Sequence, residues 1–160
     1  MRPTNEEQDK KGARVRFPPP LIFIICMLLG FALQYSLPMK ISASWDSIYL
    51  GGALMLLALL CVLYLSRVFN RLNTHIEPWK PTSRIISTGL YGYSRNPIYV
   101  AFAVFTIGTG LMVNSLWVMV SFLPASIAVY LVAIKKEEVY LEHKFGEEYL
   151  NYKEKVRRWF

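Results

Sequence analysis

Between Pro97 and Ile134 the chain reads PIYVAFAVFTIGTGLMVNSLWVMVSFLPASIAVYLVAI, 38 residues without a charge. A bilayer core about 30 Å thick is crossed by roughly 20 apolar residues at about 1.5 Å rise each. The stretch is therefore too long for one span and suits two, with the polar pair Asn114-Ser115 as the turn. Backbone groups find no water in hydrocarbon, so an open, lipid-facing sheet edge is excluded. Working outward, Ser47 to Ser66 is uncharged over 20 residues and Leu21 to Leu37 over 17. The expected fold is all-α: an integral membrane bundle of four transmembrane helices plus a C-terminal amphipathic interfacial helix. No small-residue cleavage site stands near Pro38 and further spans follow, so the first span reads as a retained anchor.

Charge orients this bundle. Arg2, Lys10, Lys11, Arg14 and Arg16 precede the first span, and Lys40 alone lies between the first and second. Arg67, Arg71, Lys80, Arg84 and Arg95 lie between the second and third, and none between the third and fourth. Seven follow, from Lys135 and Lys136 to Arg157 and Arg158. The positive-inside rule then puts both termini and the second loop in the cytoplasm. The net charge of +7 reads as a topology signal and an attraction to anionic headgroups. Its dispersal argues against a nucleic-acid partner. Cys26 and Cys61 both fall within spans, which suggests neither a disulfide framework nor a metal site.

The chain divides into a basic N-terminal tail over 1–20, a transmembrane domain over 21–134 and a C-terminal interfacial helix over 135–160. Pro18-Pro19-Pro20 stiffens the entry to the first span, where proline costs a helix little. The loop over 70–96 is long and rich in Pro, Trp and Tyr, the mark of a functional loop. In the tail, Tyr149, Tyr152, Val156 and Trp159 or Phe160 fall near one face, with Gly146 as a bend; that face suits the headgroup region, or equally a surface helix simply covering the bundle.

The concentrated polar chemistry lies in two places, the loop ending GLYGYSRNPIY (Gly89 to Tyr99) and Lys135-Lys-Glu-Glu138. Because spans three and four form a hairpin, topology brings Asn96-Pro97 beside Glu137-Glu138. Arg95 with Glu137 or Glu138 could be an ion pair anchoring helix ends, or ionisable groups that bind a polar ligand at the membrane surface. Tyr91, Tyr93 and Tyr99 could equally belong to an aromatic belt. Pro97 would start a helix, and Gly89 and Gly92 would permit positive φ in a turn. His75 and His143 stand outside both motifs, as ordinary surface histidines.

Taken together, these residues resemble the isoprenylcysteine carboxyl methyltransferase and phospholipid methyltransferase superfamily. Its pattern is G-x-Y-x-x-x-R-H/N-P-x-Y, then Glu-Glu, then F-G-x-x-Y-x-x-Y; here these are Gly89 to Tyr99, Glu137-Glu138 and Phe145 to Tyr152. The resemblance runs from about Thr74 to Val156, roughly half the chain, and implies a helical membrane enzyme using S-adenosylmethionine without a Rossmann sheet. It implies cofactor contacts from Arg84, Ile85, Ile86, Tyr91, Asn96, Pro97, Tyr99 and Glu137. It gives catalytic roles to Arg95, orienting the cofactor carboxylate or the loop, and to Glu138, a proton acceptor if the acceptor is an amine. No metal is implied. The Gly108-Thr-Gly110 triplet lies inside a span and reads as close helix packing.

Two departures bear on the acceptor. The prenylcysteine branch usually has His before the proline; Asn96 here is frequent in bacterial and phospholipid-type members, which points to a prokaryotic cytoplasmic membrane. Ala133 stands four residues before Glu137, where that branch has a substrate-binding arginine, so a prenylcysteine carboxylate would lack its partner. The expected activity is methyl transfer from S-adenosylmethionine to a small or lipid-like acceptor drawn from the bilayer. Two rivals remain: an NADPH-dependent membrane reductase of related architecture, distinguished by nicotinamide binding, and a non-enzymatic assembly or binding protein, distinguished by intact motifs without cofactor binding.

Overall fold

The structure, a computed structural model, describes residues 12, 13, 15, 17–41, 45–74, 77 and 79–159. The basic residues Arg2, Lys10, Lys11, Arg14 and Arg16, together with His75 and Phe160, lie outside the described residues. The described residues are helical, with no strand among them. In order these are α1 (Pro19–Ser36), α2 (Trp45–Arg71), a 3-10 turn (Gly89–Gly92), α3 (Pro97–Met112), α4 (Leu116–Val120), α5 (Phe122–Val129), a π-helical turn (Tyr130–Ile134), α6 (Lys135–Phe145) and α7 (Glu147–Lys155). Among the described residues, three helices are long and apolar enough to cross a membrane: α1, α2, and the run Leu116–Phe145 that joins α4 to α6. The shorter apolar α3 has 16 residues. It ends where the chain turns at Asn114, whose φ of 53° breaks the helix.

The chain forms two compact units. The apolar unit comprises Pro18–Tyr64 and Ile98–Val129. Here α1 opens on Pro19, which has no N–H to satisfy in a first turn, and packs on α4 and α5. Gly30 permits that approach: a Cβ there would lie 2.9 Å from the Trp117 carbonyl oxygen. Gly51 does the same where α2 meets α3, since its Cβ would lie 2.5 Å from the Gly108 oxygen. The close packing expected of the Gly108 segment is thus a backbone-to-backbone contact.

The segment after α1 is tied to the turn after α3. Trp117 Nε1 donates to the Leu37 carbonyl at 2.8 Å, Leu116 N to the Met39 carbonyl at 3.0 Å, and Ile41 N to Asn114 Oδ1 at 2.9 Å. The buried Ser115 hydroxyl caps α4 by accepting from Val118 N and donates to Gln34 Oε1 at 2.9 Å. Helices α1, α2 and α3 also line an apolar cavity of about 210 Å³. Along α2, Leu56, Leu57, Leu59, Leu60 and Leu63 are each at least half exposed. Leucines turned outward in this number suit a hydrocarbon solvent.

The second unit holds Leu65–Pro97 and Tyr130–Phe160, with part of Met1–Phe17. The run from Tyr130 ends at Gly146, whose φ of 52° makes the expected bend into α7. The aromatic face of α7 does not point outward to headgroups. Tyr149, Tyr152 and Val156 are buried in a cluster with Ile85, Leu141 and Phe145. This face covers the loop, and the exposed Glu and Lys residues face away from it.

Candidate cofactor site

The site is assembled within the second unit from the loop 84–97, α6 and the segment following α7. Gly89 enters the 3-10 turn at φ 63°, a conformation that side chains oppose. Gly92, expected to share that conformation, has no positive φ. Tyr93 N and Ser94 N both donate to the Leu90 carbonyl, at 3.2 and 3.1 Å, closing the turn. Tyr93 is left exposed, whereas Tyr91 is half-buried and meets Phe69 edge-on at 5.8 Å between ring centres. The Tyr152 hydroxyl donates to the Tyr91 carbonyl at 2.8 Å, tying α7 to this turn.

The next three residues dock on Arg157 and Arg158. Arg95 N donates to the Arg157 carbonyl at 3.0 Å. Ser94 Oγ donates to the Arg158 carbonyl at 3.3 Å and accepts from Asn96 N at 3.2 Å. Asn96 Nδ2 donates to the same Arg158 carbonyl at 3.0 Å. Asn96 is therefore buried and satisfied by backbone, and Pro97, needing no such donor bond, begins α3.

Charge gathers around Glu138. Its side chain is 13% exposed and receives Arg158 as a two-pronged fork, Nε to Oε1 at 2.8 Å and Nη2 to Oε2 at 3.0 Å. Arg95 Nη1 stands 3.3 Å from the same Oε1. The Arg95 side chain is only 9% exposed, yet its buried Nε and Nη1 have no hydrogen-bond partner among the described residues. Buried guanidinium donors left unmatched cost more than they return, so such a group is suited to an incoming acceptor. The Arg158 guanidinium also lies 5.0 Å over the Tyr130 ring. Its fork to Glu138 holds Arg158 above its ordinary value, against the effect of burial. Burial pushes the Tyr149 phenol up, and the Glu138 charge adds to this while Arg95 opposes it. Burial, then Tyr149, likewise raises Tyr152.

Of the residues picked out by motif, Arg95 and Glu138 meet directly, and Asn96 joins them through Arg158. Glu137 is half-buried with contacts of its own. Ile85 packs on the α7 cluster, Ile86 is buried and Arg84 is exposed. Tyr99 is buried on α3 in the apolar unit, and His143 is exposed on α6. Ala133 is fully buried. Arg158 and Ser94 were not legible as site residues. Arg158 reads as one more basic charge in a basic tail, and no local spacing links it to Glu138, 20 residues away.

A model of the phospholipid methyltransferase family matches residues 47–148. The chain is also similar to protein-S-isoprenylcysteine O-methyltransferase of Xenopus laevis, 36% identical over 72 residues, which are 45% of this chain and 25% of that protein. The Homo sapiens protein of that name is 35% identical over 75 residues, 47% of this chain and 26% of the relative. The Saccharomyces cerevisiae protein is 35% identical over 85 residues, 52% of this chain and 36% of the relative. The chain thus spans between about a quarter and just over a third of the length of these relatives.

Proposed function

The chain belongs to the phospholipid methyltransferase family, and from that premise we propose that it is an S-adenosylmethionine-dependent methyltransferase of the membrane. Its acceptor is small or lipid-like and is methylated at the cytoplasmic interface. The observation that carries this reading is Arg95, a buried cation with two unmatched donors in the middle of the family motif. The amino-acid end of S-adenosylmethionine carries a carboxylate, and a guanidinium with free donors is the natural partner for one. The residues present therefore fit the cofactor. Bound there, it supplies a sulfonium methyl group open to nucleophilic displacement.

The protein's own part is to bind, align and exclude water. Arg95 holds the carboxylate end, while the irregular backbone at Arg84, Ile85 and Ile86 and the Tyr91 ring contribute the remaining contacts. Asn96 and Pro97 fix the loop to the start of α3, and Tyr99 and Glu137 complete the set implied by the motif. Glu138 already accepts both donors of the Arg158 fork. That arrangement favours it as the partner of Arg158 over its use as a proton acceptor. A carboxylate nucleophile would need no proton removed; an amine would deliver its proton elsewhere. The buried Ala133 offers no cation to an acceptor carboxylate, which supports an acceptor other than prenylcysteine.

We further read α3 as a fourth span, with both termini and the loop 70–96 in the cytoplasm of a prokaryotic cell. Support comes from the bonds of Leu37, Met39 and Ile41 to the Asn114–Trp117 turn. That tie supports placing the end of α1 and the end of α3 on one membrane face, with α3 crossing as α1 does.

The test is calorimetric titration of S-adenosylmethionine into the detergent-purified protein and its Arg95→Ala variant. Saturable binding is expected, weakened in the variant by about tenfold or more, as for a lost charge-assisted hydrogen bond. It would justify an acceptor screen with labelled methyl groups. No binding by folded wild-type protein, in detergent and in lipid nanodiscs, would overturn the proposal.

A further inference from the structure

Glu138 and Arg95 pose a problem of competition. A carboxylate beside a buried guanidinium gains most from a two-pronged pairing with it. Here the two groups are 3.3 Å apart, yet no such fork forms. Both Glu138 oxygens are instead taken by Arg158, at 2.8 and 3.0 Å. The consequence falls on Arg95, whose Nε and Nη1 keep no hydrogen bond. Arg158 is itself held firmly for this task. Its carbonyl receives Asn96 Nδ2 and Ser94 Oγ, and its guanidinium lies over Tyr130. The neighbouring Arg157 carbonyl accepts Arg95 N at 3.0 Å, so Arg158 and Arg95 are registered on one another through backbone.

We infer that Arg158 is a positioning residue that keeps Glu138 from forming a fork with Arg95, limiting the two to a single 3.3 Å ion pair and leaving the Arg95 donors open for the carboxylate of the ligand. The inference rests on the proposed cofactor reading and extends it to a residue outside the motifs. Without Arg158, Glu138 turns onto Arg95, satisfies it internally and closes the carboxylate subsite. A helix-end anchor would behave differently, because its loss loosens the site for every ligand alike.

Two probes separate these roles in the full-length protein: S-adenosylmethionine, and its decarboxylated form, which keeps the sulfonium and adenosine but has no carboxylate. Arg158→Gln is expected to weaken the first by about tenfold or more and to leave the second within about twofold. Adding Glu138→Gln to Arg158→Gln removes the competing charge and is expected to restore most of the lost affinity. Should Arg158→Gln fail to fold, Arg158→Lys takes its place. It retains the charge without the fork and is expected to give a smaller loss with the same preference between ligands. Unchanged binding of S-adenosylmethionine in the variant, or equal loss of both probes, overturns the positioning role while leaving the cofactor reading intact. Failure of folded wild-type protein to bind S-adenosylmethionine overturns both.

Discussion

At the scale of single residues, two buried tyrosines tie the tail to the loop, and their phenols must stay protonated to do so. Tyr152 donates its hydroxyl proton to the Tyr91 carbonyl, and Tyr149 lies beside Glu138 and Arg95. Replacing Tyr152 with Phe removes one hydrogen bond to a half-buried carbonyl and is expected to cost about 1 kcal/mol, read as a lower unfolding temperature in detergent. The pH dependence follows from burial, which raises both phenols above the ordinary value of 10.0. Above that pH the unfolded chain loses phenol protons that the folded chain retains. The unfolded state then binds fewer protons, and stability falls as pH rises. Their contribution is complete below about pH 10 and is lost through the folded values above it. Thermal unfolding measured between about pH 8 and pH 11 should show this alkaline decline in wild type, and a shallower one in the Tyr149→Phe, Tyr152→Phe double variant. Parallel declines would contradict it.

At the scale of elements, packing in the apolar unit turns on which face of α2 carries its glycines. A Cβ on Gly51 would meet the Gly108 oxygen at 2.5 Å and the Met112 nitrogen at 2.6 Å, both backbone atoms with little freedom to move. A Cβ on neighbouring Gly52 would meet nothing within 4 Å. Gly51→Ala should therefore destabilise by about 1–3 kcal/mol through overpacking, whereas Gly52→Ala should be neutral or gain up to about 1 kcal/mol of helix propensity. The two unfolding temperatures decide the matter, and equal effects would exclude the close crossing. The helices themselves were legible because lack of charge over a span's length is a strong signal. The same holds for the turn at Asn114-Ser115, the start at Pro97 and the bend at Gly146. The inward face of α7 was legible only as one of two readings, since an amphipathic pattern states that one side is apolar and not what covers it. Arg95 with Glu138 could be anticipated because two helix ends of one hairpin must meet. Arg158 could not, because its partners Ser94, Asn96 and Glu138 are gathered by tertiary folding from distant positions.

At the scale of the whole molecule, function depends on how often the chain crosses the bilayer. Helix α3 has 16 residues, which gives about 24 Å at the usual rise and falls short of a core about 30 Å thick. A shortfall of this size can be met by local thinning of the bilayer and costs only fractions of a kcal/mol per Å. If α3 crosses, Lys40 and Asn114 share one face, while Arg84 and Lys136 share the other, which the proposed function assigns to the cytoplasm. If it does not, Asn114 joins Arg84, and the segment holding Glu138 and Arg158 is parted from the loop holding Arg95. The ion pairs of Glu138 with both arginines favour the first arrangement, the one proposed above. Single cysteines at these four positions, in a chain with Cys26 and Cys61 replaced by serine, can be probed with a membrane-impermeant maleimide. Labelling of Lys40→Cys and Asn114→Cys in intact cells is expected, and of Arg84→Cys and Lys136→Cys only after permeabilisation. Labelling of Asn114→Cys together with Arg84→Cys, and apart from Lys40→Cys, would remove the fourth span and with it the cytoplasmic site.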